Sequence, residues 1–324
     1  MHKSLALFLL TLSLAPTAGA RDAEGNLMNA RVQLAAAKAP GDLVSDAYLV
    51  KMMDGALQAD DPALDPGLRK DLSETRDELQ ARVDAGMNDD PVLLATLSNC
   101  FGYSVTREDC GQVWARIEQL DGDNGYHHFI LMSQAAQEND DDGFERHALK
   151  MLDSSHFTPS AIPVFTSLYE RYRQVPEVLW DHPELEYGPK GAAGVMAMAL
   201  SAAIALPGYQ QFVRACEDAG EERRRLCARV ALHMAESSTL LIDRSIAIAV
   251  LKKVGSPAEL ERANTLERQS RWLQSSMARF DQDLDDSETG EYFDLFASEG
   301  EFSALRYAAR VMGRPVEPPA DWQP

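Results

Sequence analysis

The sequence has 324 residues, with 51 Asp and Glu against 31 Lys and Arg and a formal net charge of -20. Nucleic acid and anionic lipid are poor partners for such a chain, because both reward clusters of Lys and Arg. The acidity favours solubility, and the length is enough to bury a sizeable core in one large domain or two closely packed ones.

The chain opens with a polar start at His2 and Lys3, an apolar run from Leu5 to Leu14, and the small-x-small signal Ala18-Gly19-Ala20. That order predicts a secretory signal peptide over residues 1–20 and a mature chain beginning at Arg21. The run is too short to span a bilayer, and Arg21 stands where a lipoprotein anchor would need cysteine. The expected location is therefore outside the cytosol, periplasmic or secreted. Residues 21–41 are Ala-rich and poorly punctuated, and read as a helix or a mobile arm.

Helix signals dominate from 42 to 313. Asp65-Pro66 and Asp90-Pro91 each place an N-cap before a first-turn proline, and Ser256-Pro257-Ala258-Glu259 has the form of a capping box. Amphipathic stretches predict helices at 43–59, 66–86, 91–100, 108–120, 124–138, 144–153, 160–173, 191–206, 208–218, 222–236, 239–254, 257–279, 290–298 and 301–312. Long runs of strict alternation are missing. The uncharged segment Gly191–Leu206 is shorter than the ~20 residues of a membrane span and reads as a buried helix. No span is expected in the mature chain. The expected fold is all-α, a superhelix-like stack of antiparallel helical hairpins over 42–313, as one body or as halves at about 42–185 and 186–313. Residues 314–324, with Pro315, Pro318, Pro319 and Pro324, form an extended tail.

Four cysteines stand at 100, 110, 216 and 227. Three pairings are possible, and the two close pairs, Cys100 with Cys110 and Cys216 with Cys227, are expected to bond. Each would clamp the mouth of a helical hairpin and stabilise it by roughly 2–3 kcal/mol. A redox or metal role is disfavoured, since there is no C-x-x-C and neither pair has histidine at metal-ligand spacing. Val113 and Ile117 follow Cys110 at the offsets at which Val230 and Met234 follow Cys227, which hints at a repeated hairpin.

Residues 120–155 carry Leu120-Asp121-Gly122-Asp123-Asn124, then Ala136, Gly143, Phe144 and Ala148-Leu149. This stretch resembles one tetratricopeptide unit, with Met132 and Asn139 in place of the expected aromatics and no second copy at a 34-residue period. Disulfide-clamped hairpins are also similar to a cysteine-rich bacterial repeat family related to tetratricopeptides, in which nearly every unit has a cystine. These resemblances imply a concave surface that holds another polypeptide.

Signatures of common enzymes are missing: no G-x-S-x-G, H-E-x-x-H, P-loop or Rossmann glycine pattern occurs. Glu138–Gly143 resembles the opening of a calcium loop, but Leu149 occupies the twelfth position; the cluster Asp281, Asp283, Asp285, Asp286 has Tyr292 there. Both read as loops whose carboxylates favour the next helix N-terminus. Among His127, His128, His147, His156, His182 and His233, His128 and His147 would approach each other across the 120–155 hairpin. Gly191-Ala192-Ala193-Gly194-Val195-Met196-Ala197 resembles an element of lytic transglycosylases. The Glu-Ser pair of that family is not found upstream: Glu184 and Glu186 precede Leu185 and Tyr187, and the one Glu-Ser, Glu236-Ser237, lies downstream. A core helix rich in small residues explains the same letters. Trp114 and Trp272 read as core anchors, Trp180 as loop packing, and Trp322 lies in the tail. The sequence assigns no catalytic residue, metal ligand, cofactor or binding residue, and fixes no oligomeric state. The expected function is an exported helical scaffold that binds protein or peptide; the alternative is an envelope polysaccharide or peptidoglycan hydrolase or lyase on a helical fold.

Overall fold

The computed structural model describes residues 23–59, 64–97, 107–180, 188–202, 208–276 and 284–323. The expected signal peptide, residues 1–20, lies outside them. Among the described residues fifteen α-helices follow one another: α1 Ala23–Lys38, α2 Leu43–Gln58, α3 Pro66–Gly86, α4 Pro91–Leu97, α5 Arg107–Asp121, α6 Gly125–Glu138, α7 Asp141–Asp153, α8 Ala161–Tyr172, α9 Pro189–Ser201, α10 Tyr209–Glu217, α11 Glu221–Ser237, α12 Leu241–Val254, α13 Pro257–Ser276, α14 Asp286–Glu299 and α15 Glu301–Val311. The described residues contain no strand, so the expected all-α class holds. No helix among them is long and apolar enough to cross a membrane. The closest packing joins helices adjacent in sequence: α2 with α3, α6 with α7, α11 with α12 and α14 with α15.

Helix starts follow from short polar side chains that take the first free amides. Asp65 accepts from the amides of Gly67 (2.8 Å) and Leu68 (3.0 Å), and Asp90 from those of Val92 (2.8 Å) and Leu93 (3.0 Å). The expected box at Ser256 forms, the Ser256 amide donating to Glu259 at 2.7 Å and the Glu259 amide to Ser256 Oγ at 3.4 Å. Two helices begin three or more residues earlier than expected. Asp140 caps the Gly143 amide, which starts α7 at Asp141, and Asp285 forms a full capping box with Glu288, which starts α14 at Asp286. Acidic first turns suit the positive end of the helix dipole, so residues read as loop are helix.

The chain divides into two compact units, one from the described residues of Met1–Leu93 and Pro163–Ile204, the other from those of Leu94–Ile162 and Ala205–Pro324. The first is organised around Arg171, a cation only 1% exposed. Its Nε donates to the carbonyl of Ala36 and its Nη2 to that of Ala37, both at 2.7 Å, so it closes the carbonyl end of α1. Its Nη1 pairs with the fully buried Asp46, whose other oxygen lies 2.9 Å from Arg82. Ser45 and Ser167 complete the network through Asp42, the N-cap of α2. Gly41 is required here, because a β-carbon would lie 2.4 Å from the guanidinium. The same unit buries Leu49, Met53, Leu72, Phe165 and Tyr172, with Trp180 edge-on to Tyr172 at 6.2 Å.

In the second unit Phe129 is the aromatic centre, with Phe157, Tyr209 and Phe212 at 6.2, 5.6 and 5.3 Å. Cys216 and Cys227 are disulfide-bonded, joining the last turn of α10 to α11 with Cα atoms 5.8 Å apart. Both are fully buried. This is the single disulfide seen among the described residues, where two were expected: Cys110 is buried, while Cys100 lies outside the described residues. Val113, Ile117, Val230 and Met234 all face one core, as their matched offsets suggest. At the turn between α6 and α7, Gly143 permits close approach, its absent β-carbon being 3.2 Å from that of Ala135.

Two stability outcomes follow. Cys216→Ser with Cys227→Ser lowers the unfolding free energy by about 2–3 kcal/mol in denaturant titration; an unchanged midpoint would show that the bond constrains nothing. Arg171→Met costs about 3–5 kcal/mol, because it strands Asp46 and two helix-end carbonyls away from water. Adding Asp46→Leu restores part of that loss, and strictly additive effects in the double-mutant cycle would refute the coupling.

Candidate functional site

Three places bring polar chemistry together. The first lies at the α5–α6 turn. Asp121 accepts from the amide group of Asn124 at 3.0 Å, is 2.8 Å from His127 Nε2, and lies 3.6 Å from His156 Nε2. Burial acts to raise the Asp121 pKa, but the hydrogen bonds from His127 and Asn124 win and hold it below the ordinary value. Ser155 Oγ is 3.2 Å from His156 Nδ1, so a serine, a histidine and an aspartate line up. The alignment is a clasp rather than a nucleophilic triad. The serine hydroxyl donates to Asp123, and the Gly125 amide donates to the carbonyl of His156 at 2.8 Å. The next two amides of α6 go to Asn124, so none of these first amides is left to cradle an oxyanion.

On the neighbouring face the expected approach of His128 and His147 is seen: their rings stack at 5.8 Å. His128 Nε2 is 3.1 Å from the carbonyl of Gly122, and Lys150 pairs with Glu118 nearby. Burial pushes His128 below its ordinary pKa, and burial together with the facing imidazole pushes His147 down to about 4.

The second place is Asp243, 0% exposed, in the first turn of α12. Tyr209 donates to one oxygen and Ser238 to the other at 2.6 Å. Burial nevertheless raises Asp243 to about 6, the two hydrogen bonds offsetting only part of the desolvation. Glu301, at the start of α15, accepts the Leu241 amide at 2.7 Å. Its carboxyl is pushed up to about 7 by desolvation, although the side chain keeps some contact with solvent. Tyr209 is held well above its usual value by burial and by Asp243. Nothing in the sequence flagged this cluster, because Tyr209, Ser238, Asp243 and Glu301 are scattered along the chain and share no motif.

The third place is an open groove of about 410 Å³ in the first unit. One wall is a stripe of α3 with Asp71, Glu74, Thr75, Glu78, Leu79 and Arg82; the other is Ala37 and Lys38 at the end of α1. The residues share one face at helical spacing. All three carboxylates come from a single wall, and the lining has no aromatic side chain.

The other residues singled out by sequence have structural roles. Asp140 is a cap and Asp141 pairs with Arg223, while Asp281 and Asp283 lie outside the described residues. No group of three or more His, Cys, Asp or Glu suited to a metal occurs among the described residues. Gly191, Ala192, Ala193, Gly194 and Ala197 are buried along α9, while Val195, Met196, Met198 and Leu200 are partly buried and Ala199 is exposed, so the helix buries one side rather than all of its surface. Glu236 pairs with Arg262 at 2.7 Å. His233 is partly buried, and burial lowers its pKa, while His182, Glu184 and Glu186 lie outside the described residues. Trp114, Trp180 and Trp272 are all buried. No family model, curated protein or solved structure matches the chain.

The buried carboxyls and imidazoles act on stability in opposite senses. The Asp243 and Glu301 pKa values are raised on folding, so the native state holds more protons and stability falls as pH rises from about 4 towards 6 and 7. His147 is lowered to about 4, so the unfolded state holds more protons and stability rises from there to about 6.5. Asp243→Asn therefore leaves a profile that climbs more steeply over this interval, and His147→Gln one that declines more steeply. Denaturant titrations across pH 4–7 read both slopes, and variants parallel to the parent would contradict the assignment.

Proposed function

We propose that the chain is an exported helical scaffold that holds a protein or peptide segment outside the cytosol, and that its helical hairpins stack in the tetratricopeptide manner. The observation that carries this reading is the α1–α3 groove. It is of ligand-pocket size, open, and walled by charged side chains of both signs rather than by apolar ones. Such a lining suits a polar polypeptide segment whose charges pair with Glu74 and Glu78 on one wall and with Lys38 on the other. A glycosidase instead places two carboxyl groups on opposite sides of the scissile bond and stacks sugar rings on aromatics. Here the carboxylates share one wall, so the polysaccharide reading loses support. Export draws its support from the buried Cys216–Cys227 disulfide, a bond that persists in oxidising compartments.

The test is a photo-crosslinking amino acid at Thr75, within the groove, in protein produced in its native compartment. A discrete polypeptide adduct is expected, diminished by Glu74→Lys with Glu78→Lys. Recovery of glycan fragments, or of nothing that responds to the charge reversal, would overturn the reading. Edman sequencing or peptide mapping of the same material should find Arg21 as the first residue; an intact Met1 in cytosolic material would defeat the export claim.

A further inference from the structure

The tail after α15 is held on the surface of α13 by contacts that a ligand could reproduce. Gly313, in the left-handed region at φ 68°, turns the chain back after α15. Arg314 then lies over the Trp272 ring, 4.5 Å from its centroid, and donates to the carbonyl and hydroxyl of Ser275 at 2.8 and 2.9 Å. The Trp272 indole donates to the carbonyl of Pro315 at 2.7 Å. Gln269 reaches Glu317 at 3.1 Å, and Arg268 donates to the carbonyls of Pro319 and, at 3.1 Å, Trp322. A turn closed by the Trp322 amide to Pro319 at 3.0 Å sets the Trp322 ring edge-on to Trp272 at 5.3 Å.

This is a particular recognition chemistry. An indole N–H and a guanidinium address backbone carbonyls at three points of an irregular, proline-bearing segment, and one aromatic pair fixes the register. The segment itself is shallow-seated: Pro315, Glu317, Pro319, Ala320 and Asp321 are exposed. Its prolines reduce the entropy lost on docking, and carbonyl-directed bonds read main chain more than side chains.

We propose that the α13 face formed by Arg268, Gln269, Trp272 and Ser275 is a docking site for a proline-bearing, turn-forming segment of another polypeptide, and that residues 314–323 are its resident intramolecular occupant. The proposal rests on the polypeptide-binding reading above but uses a different surface. The tethered tail acts as a competitor at high effective concentration, so an outside segment binds only when the tail is displaced.

The experiment uses a fluorescein-labelled peptide of residues 314–324 and the chain truncated after Gly313. Fluorescence anisotropy should show binding to the truncated chain, weaker by roughly tenfold or more to the full chain because the tail competes. Arg268→Ala in the truncated chain should weaken binding by roughly tenfold, and a scrambled peptide of the same composition should not bind. A truncated chain with intact helical circular dichroism that ignores the peptide, or that binds the scrambled one equally, overturns the proposal. Should truncation unfold the protein, the full chain with Trp322→Ala decides: the loosened tail should let it take up the peptide more tightly than the parent, and equal uptake overturns the proposal. A Thr75 adduct that persists while the peptide fails to bind sinks this inference alone, whereas loss of the adduct with peptide binding intact sinks only the groove.

Discussion

Every α-helix begins with amides and ends with carbonyls that it cannot pair itself, and a chain built from many short helices meets that demand at every turn. In this protein many of the amide ends are met locally, while the Leu241 amide at the start of α12 reaches Glu301, 60 residues on. Asp42, Asp65, Asp90, Asn124, Asp140, Ser256 and Asp285 each accept from the first turn that follows. Much of the acidic surplus along the chain thus has a structural use, since carboxylates in first turns pair orphan amides and complement the helix dipole together. The two acidic runs that resemble calcium loops belong here: the described members of both end as caps or first-turn residues.

Several carbonyl ends are met by arginine side chains, two of them from far away in sequence. Arg171 closes α1 across more than a hundred residues, Arg244 donates to Ala235 near the end of α11 while lying over the Phe302 ring, and Arg314 closes α13 at Ser275. A guanidinium suits this task, because its fork of donors serves two carbonyls or a carbonyl and a carboxylate at once, and its charge does not titrate away near neutrality. Such pairings fix which helix lies beside which, since the cation is costly to bury anywhere its acceptors are missing. Gly41 shows the constraint running back to sequence: a glycine there has no local turn requirement that a reader could infer, only the volume of a side chain 130 residues away.

That division explains what could be read beforehand. Asp65-Pro66, Asp90-Pro91 and Ser256-Pro257-Ala258-Glu259 are complete within four letters, and each helix begins where those letters place it. The starts of α7 and α14 are harder to place from sequence, because in each acidic run one carboxylate is a cap and its neighbours are already helix. The stacking of His128 on His147 was legible because both sit on one hairpin whose turn is marked by Asn139 and Gly143. Arg171 with Asp46, Tyr209 with Asp243, and the seating of the tail on α13 left no local trace. Their partners are set by packing, and no periodicity or motif records it.

A catalytic group needs a hydrogen-bonding valence left over for substrate and a path by which substrate reaches it. In the buried cluster of the second unit, both oxygens of Asp243 are already taken by Tyr209 and Ser238. The Nδ1 atoms of His127, His128 and His147 are buried and have no hydrogen-bond partner among the described residues. Polar side chains instead line α3 beside Lys38, and on α13 the donors of Arg268 and Trp272 are taken by the tail, on helix faces rather than in closed cavities. Charged stripes and main-chain-directed donors of that kind discriminate by the course of a polypeptide more than by the chemistry of one functional group. The same helix-end accounting that holds the fold together thereby consumes many of the residues that look reactive in the sequence, from the acidic runs at the starts of α7 and α14 to the serine beside His156.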